Sequence, residues 1–235
     1  MMRRVRSADE AAAAVADAGL MTVFGSDAVP LPSLCEAVTG RPDVDVFVIG
    51  EDGRRHLNPE LDLVWSLFTA QAAARRACLG KHLCGRLVLI APAALADLYA
   101  LTGRDGWPGD FAGMPLPSAQ LAIAEALLDG GPRTAAELRI LTAIRGIREL
   151  KRALERLEAA LIVTRAGERA QATGWAATLY DLTTRRHAAW LASLPHPEAA
   201  RESLAGIVRR HAPGATPRDL ERLFDWSQPE ARTVA

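Results

Sequence analysis

The sequence predicts an α+β fold of tandem winged-helix (helix-turn-helix) architecture with an N-terminal α/β domain. Three observations predict it. Between Pro117 and Leu182 a helix, a capped short helix, an arginine-striped helix and a two-strand hairpin follow one another. Strand and helix patterns alternate through the first 115 residues. A Gly- and Pro-rich stretch, GRDGWPGDFAGMPLP from Gly103 to Pro117, marks the boundary between two parts of opposite charge: the first 115 residues hold 11 bases and 14 acids, and the remainder hold 17 bases and 14 acids. The expected divisions are residues 1–115, an α/β domain; 116–190, a winged-helix domain; and 191–235, a partial second helix-turn-helix segment.

In the first part, Ser7-Ala8-Asp9-Glu10 has the form of a capping box and opens a helix that Gly19 ends. LMTVF reads as a short strand, Pro32 to Thr39 as a helix closed by Gly40, and VDVFVIG as a strand stopped at Glu51-Asp52-Gly53. A helix is expected from about Pro59 to Leu79, then the buried strand RLVLI, then a helix entered through Pro92 and ended by Gly103. The Gly/Pro stretch that follows reads as a linker or a structured surface loop.

In the second part, Leu121, Ala124, Leu127 and Leu128 recur at helical spacing until Gly130, Gly131 and Pro132 stop the helix. Thr134-Ala135-Ala136-Glu137 is a second capping box, opening a helix that carries Leu138 and Leu141. From Ile144 to Leu161, Ile147, Leu150, Leu154, Leu157 and Leu161 share one face, while Arg145, Arg148, Arg152 and Arg156 step along the opposite one. LIVTRAG and the run from Gln171 to Leu182 read as a hairpin turning at Gly167-Glu168-Arg169. From Arg133 to Arg169 there are nine bases and five acids, in a chain whose 28 bases and 28 acids cancel. Guanidinium groups on a protruding helix reach phosphates and guanine edges, and the helix itself fits the major groove. The expected DNA contacts are therefore Arg145, Arg148, Lys151, Arg152 and Arg156 on the helix, with Arg165 and Arg169 on the hairpin. The competing reading is a solvated face on which Glu149, Glu155 and Glu158 neutralise the arginines, in a module used for protein contacts.

Near the end, HPEAARESLAGIVRRHAPGATPRDLERLFDW reads as a helix, a Pro213-Gly214 break and a helix with Thr216 at the cap and Pro217 at its first position. This repeats the first two helices of the module before it.

These residues resemble the AlkZ/YcaQ-like winged-helix superfamily of bacterial DNA glycosylases, especially its shorter AlkZ-related branch. AARESLAGIVRRHAPGATPRDLERLFDW is similar to that family's arginine-led helix, Gly-Pro-Ala-Thr turn and acid-capped helix; GRLVLIAPAALADLYAL is similar to its strand-to-helix segment; PLPSLCEAVTGR looks like the short branch. The resemblance runs from about Gly19 to Trp226. It implies tandem winged helices around duplex DNA, and hydrolysis of the N-glycosidic bond of alkylated or crosslinked bases. In active members a Gln-x-Gln or Gln-x-Asp pair orients water and stabilises the cationic sugar. Gln71, Gln120, Gln171 and Gln228 each lack Gln or Asp two residues later, so no catalytic residue carries over. The expectation is a DNA-binding relative of repair glycosylases. The alternatives are a glycosylase with a rearranged site, and a transcription regulator whose N-terminal domain binds a ligand or dimerises.

Composition narrows the classes further. Nearly half the chain is apolar, enough for a substantial core. Cys35, Cys78 and Cys84 are an odd, irregular set, which fits a reducing, cytoplasmic setting and no disulfide framework. Asp9, Glu10 and Asp17 interrupt the alanine-rich N-terminus, so no secretory signal is read there, and no uncharged run approaches the roughly 20 residues of a membrane helix. Cys78, His82 and Cys84 fit no paired-ligand spacing and read as core residues; no metal or cofactor is expected. The tryptophans read as packing residues, with Trp107 in the Gly/Pro stretch as the exposed one. Asp43, Asp45, Glu51, Asp52, Glu60 and Asp62 read as solvated or capping acids.

Overall fold

A computed structural model describes residues 4–26, 29–172 and 175–234 as a mixed α/β chain with three small antiparallel sheets. Helix α1 (Ala8–Ala18) starts where the Ser7 hydroxyl accepts the Glu10 amide, and Ala11, Val15 and Ala18 form its buried stripe. Strand β1 (Leu20–Thr22) leads to α2 (Leu34–Thr39), capped by Ser33 and closed by a left-handed Gly40. A separate hairpin, β2 (Phe47–Ile49) and β3 (Arg55–Leu57), precedes α3 (Pro59–Ala73), which has Asn58 at its cap and Pro59 in its first turn. The expectation that this helix reaches Leu79 is corrected. Arg75 turns left-handed (φ 54), and Cys78–Leu83 instead form β4, paired with β5 (Arg86–Ile90). Ladder bonds and burial of Cys78, Leu79 and Leu83 outweigh helical continuation. Helix α4 (Pro92–Ala100) follows directly.

The second half opens with α5 (Ser118–Gly130), which buries Ile123, Ala124 and Leu127. Two-residue β6 (Arg133–Thr134) precedes α6 (Ala135–Leu141), whose capping box is complete: the Thr134 amide donates to Glu137 Oε2 at 2.8 Å and the Glu137 amide donates to Thr134 Oγ1 at 3.3 Å. Replacing Thr134 by alanine is expected to cost about 1 kcal/mol in urea unfolding, and serine there to restore most of it. Helix α7 (Ile147–Ala159) buries Leu150, Leu154 and Leu157 as the periodicity predicts. Ile147 is exposed, however, and Leu161 lies beyond the helix with φ 56. Strands β7 (Val163–Arg169) and β8 (Ala177–Leu182) make the expected hairpin. Gly167-Glu168-Arg169 is not its turn but the end of β7; Gly167, at φ 129, sits in a register shift that a side chain would strain. The reversal falls between residues 169 and 177, and Thr173 and Gly174 in it lie outside the described residues.

One topology occurs twice. Apart from the β2–β3 hairpin inserted before α3, each half runs helix, strand, helix, helix, strand, strand, and the two three-stranded sheets have the same order, β1-β5-β4 and β6-β8-β7. The ends of α3 and α7 also match bond for bond. After α3 the amides of Ala74, Arg75 and Arg76 donate to the carbonyls of Ala70, Ala72 and Gln71; after α7 those of Ala160, Leu161 and Ile162 donate to Arg156, Glu158 and Leu157. From α3 into β4 and from α7 into β7, equivalent residues are thus 86 apart, and one such pair, Cys78 and Thr164, meets directly with Sγ and Oγ1 at 3.4 Å. Helix α3 packs on β7, and α7 packs on β4. Reciprocal packing in which equivalent residues touch is the signature of an isologous association, here within one chain.

The remainder of the fold is helical: α8 (Thr183–Arg186), α9 (Ala188–Leu191), α10 (Pro197–His211), α11 (Pro217–Phe224) and α12 (Gln228–Thr233). Helix α10 packs along α4, where Leu95 and Tyr99 share a core with Leu204, Val208, Leu220 and Leu223. The Gly/Pro stretch between the halves is an ordered strap. Buried Asp110 accepts from the Tyr99 hydroxyl at 2.6 Å, the Gly106 amide at 3.0 Å and Arg104 at 3.4 Å, and Phe111 enters the core of the second half. Among the described residues no helix is long and apolar enough to cross a membrane.

Candidate functional site

Helix α7 carries the stripe read from the sequence. Its buried face turns Arg148, Lys151, Arg152 and Arg156 outward, and Arg145 stands exposed just before its first turn. No ion pair engages any of these five among the described residues. Two of the acids able to neutralise them are committed elsewhere, Glu155 to Lys81 of β4 at 2.6 Å and Glu158 to Arg165 at 2.9 Å, while Glu149 lies beside the stripe without forming an ion pair among the described residues. The Lys81 ammonium holds the Glu155 carboxyl below the usual glutamate range.

A shallow concavity adjoins the stripe, lined by Arg148, Arg152, Arg156 and the Pro117–Gln120 entrance of α5. The residues that precede α5 and α7, Pro117 and Gly146, supply no side-chain cap, so the leading amides of both helices have no side-chain acceptor. Three guanidiniums beside two helix N-termini favour an anion there, and the Glu149 carboxylate, which lines the same concavity in the first turn of α7, offsets part of that potential.

The two hairpin residues are placed differently. Arg165 is largely buried and bound to Glu158, itself 1% exposed in its side chain, so it joins β7 to α7 and does not project. Gly80 of β4 has no Cβ to obstruct that carboxylate, whose Oε1 lies 3.1 Å from where one would stand. Arg169 is half-exposed and donates to Glu137 at 2.7 Å. The Thr134 amide first, and then Arg169, hold the Glu137 carboxyl down to about 2.

A second feature is one the sequence reading missed. A cavity of about 500 Å³ lies between α3 and the β7–β8 hairpin, lined by Asp62, Trp65, Phe68, Arg165, Glu168 and Trp175 among others. Trp175, 70% exposed, is the most exposed tryptophan, ahead of the expected Trp107 at 53%. A tryptophan flanked by Gly174 and two alanines at a hairpin reversal was the signal that could have marked it.

The cysteine and histidine cluster is interior. Cys78 Sγ lies 3.5 Å from His82 Nε2, and His82 Nδ1 pairs with the Glu158 carbonyl at 2.6 Å. Burial pushes the Cys78 thiol up to about 12 and the His82 imidazole down, so neither is poised as nucleophile or base near neutral pH. Among the described residues no three His, Cys, Asp or Glu side chains could hold a metal ion. Gln71 is buried in α3 with its amide nitrogen donating to the Ala8 and Leu67 carbonyls, while Gln171 and Gln228 are exposed on separate segments.

No curated protein and no solved structure matches the chain. A family model described as AlkZ related matches residues 5–225, nearly the whole length. The order of motifs and that match agree: the chain belongs to the AlkZ-related family.

Proposed function

We propose that this protein binds double-stranded DNA through its second half, read as a winged helix in which α7 is the recognition helix and β7–β8 the wing. The carrying observation is the set of five exposed cations on and before α7 with no ion-pair partner among the described residues. Arg145, Arg148, Lys151, Arg152 and Arg156 are assigned to the duplex, with the uncapped entrance of α5 receiving an adjacent phosphate. Arg169 can add a phosphate contact by releasing Glu137; Arg165 serves to brace the hairpin on α7. On the same reading the first half, with its matching topology, is a second winged helix, which makes the architecture tandem. Its third helix has Asp62, Trp65 and Ser66 where α7 has Arg148, Lys151 and Arg152, so the anionic duplex is assigned to the second half. Free cysteines suit a cytoplasmic setting for this role.

Family membership links the chain to DNA-repair glycosylases. Because no glutamine is followed two residues later by Gln or Asp, binding is assigned and base excision is not. Fluorescence anisotropy of labelled duplex, titrated at several salt concentrations, tests the binding. The expected result is an affinity that falls by roughly tenfold or more between low and physiological salt. Absent or salt-independent binding overturns it, and release of free base from alkylated duplex overturns the assignment of binding without excision.

A further inference from the structure

The internal duplication allows the cavity against α3 to be compared with its own counterpart. The equivalent space against α7 is lined by residues at matching positions: Lys151 for Trp65, Leu154 for Phe68, Glu155 for Thr69 and Arg165 for Leu79. There two ion pairs, Lys81–Glu155 and Arg165–Glu158, occupy the polar positions, and the space is about 280 Å³. In the first half no charges fill those positions, and the space is about 500 Å³, within the range of small-molecule sites. Two copies of one arrangement have diverged. One is narrowed by its own ion pairs, and the other is wider and aromatic.

The chemistry of the open copy is specific. Trp65 is held edge-on to Phe24, with centroids 6.2 Å apart, and tilted on Phe68 at 5.3 Å, so its ring is fixed before any ligand arrives. Trp175 contributes a second indole from the hairpin side. Asp62 and Glu168 line the space from opposite elements, α3 and β7, and neither has an ion-pair partner among the described residues. The Arg165 guanidinium also lines it, but its charge is met by Glu158 at 2.9 Å. The cavity is therefore anionic and faced by indoles, the combination that attracts organic cations through ring quadrupoles and carboxylates together.

We propose that this cavity binds a small organic cation with a flat aromatic or quaternary-ammonium body, independently of DNA binding by α7. Trp65 and Trp175 contact the apolar body, and Asp62 and Glu168 neutralise the charge. The site joins the third helix of one half to the hairpin of the other, so an occupant fixes the two halves relative to each other.

Tryptophan quenching of the full chain tests the proposal, with N-methylquinolinium as the cationic probe and quinoline, uncharged at neutral pH, as its isostere. Saturable quenching by the cation, with quinoline binding about tenfold more weakly, is the expected result. The Asp62→Asn/Glu168→Gln double variant is expected to bind the cation about tenfold more weakly and quinoline unchanged. Trp175→Ala, at an exposed position that does not endanger folding, is expected to lose cation binding measured by equilibrium dialysis. Equal affinity for the two probes, binding indifferent to all three substitutions, or no saturable binding overturns the proposal. Anisotropy with duplex DNA reports separately on α7, so failure here leaves the duplex reading intact.

Discussion

Replacing Arg148 and Arg152 together by alanine is expected to weaken duplex binding roughly 100-fold at low salt, and to reduce the slope of log affinity against log salt by about two. Each phosphate contact releases condensed counterions and contributes about 0.9 to that slope. A charge-assisted hydrogen bond is worth about 1.5–3 kcal/mol, so loss of two such contacts amounts to about two to four orders of magnitude, and contacts at solvent-exposed positions fall at the lower end. Both residues are exposed and unpaired on α7, so stability is expected to change by less than about 0.5 kcal/mol and the loss is not one of folding. Arg222→Ala supplies the control: it is exposed on α11 but already bound to Asp219 at 3.0 Å, and its removal is expected to leave the slope unchanged. A double variant that binds with wild-type slope removes α7 from the interface. A variant with reduced slope and altered base preference would show that one of the two arginines also reaches a guanine edge.

How much of this was legible in the sequence depends on which force acted. The α7 stripe was legible because a 3.6-residue period writes burial and exposure directly into residue order, and the caps at Ser7, Thr134 and Thr216 because a short side chain and an acid three residues on have one local use. The internal repeat was not. Its two copies share burial and hydrogen bonding but not chemistry, with Trp65 opposite Lys151, Ala72 opposite Glu158, and a hairpin inserted before α3 that has no counterpart before α7. The end of α3 was misplaced for a related reason. Ala77 to Leu79 is apolar enough to continue a helix, and only pairing with β5 and burial against the second half draw Cys78 and Leu79 into a strand. Arg165 looked like a wing cation because its partner, Glu158, sits on another element seven residues away and is drawn to it by tertiary packing. The open cavity was invisible, since Asp62, Trp65 and Trp175 come together only when the two halves exchange contacts.

That exchange is expected to depend most on Glu158. Its carboxylate is almost wholly buried and bonded to Arg165, and its carbonyl accepts from His82 of β4 if His82 carries its proton on Nδ1. Glu158→Ala leaves the largely buried Arg165 guanidinium without its bonded carboxylate, a change that typically costs about 3–5 kcal/mol, and is expected to lower the urea midpoint of unfolding sharply without changing the exposed stripe of α7. The first half states what the same frame does without the ion pair. At the positions equivalent to Glu158 and Arg165 it has Ala72 and Leu79, both buried, in the same helix-end and strand-start geometry. The double variant Glu158→Ala/Arg165→Leu therefore copies the apolar solution already used once in the chain. It removes the desolvation cost of both charges, since exchange of a buried ion pair for packed apolar groups is commonly neutral or stabilising. Recovery of most of the lost stability in the double variant is the expected outcome. If the double variant is as unstable as Glu158→Ala alone, the pair does more than neutralise itself, and the equivalence of the two halves does not extend to their energetics.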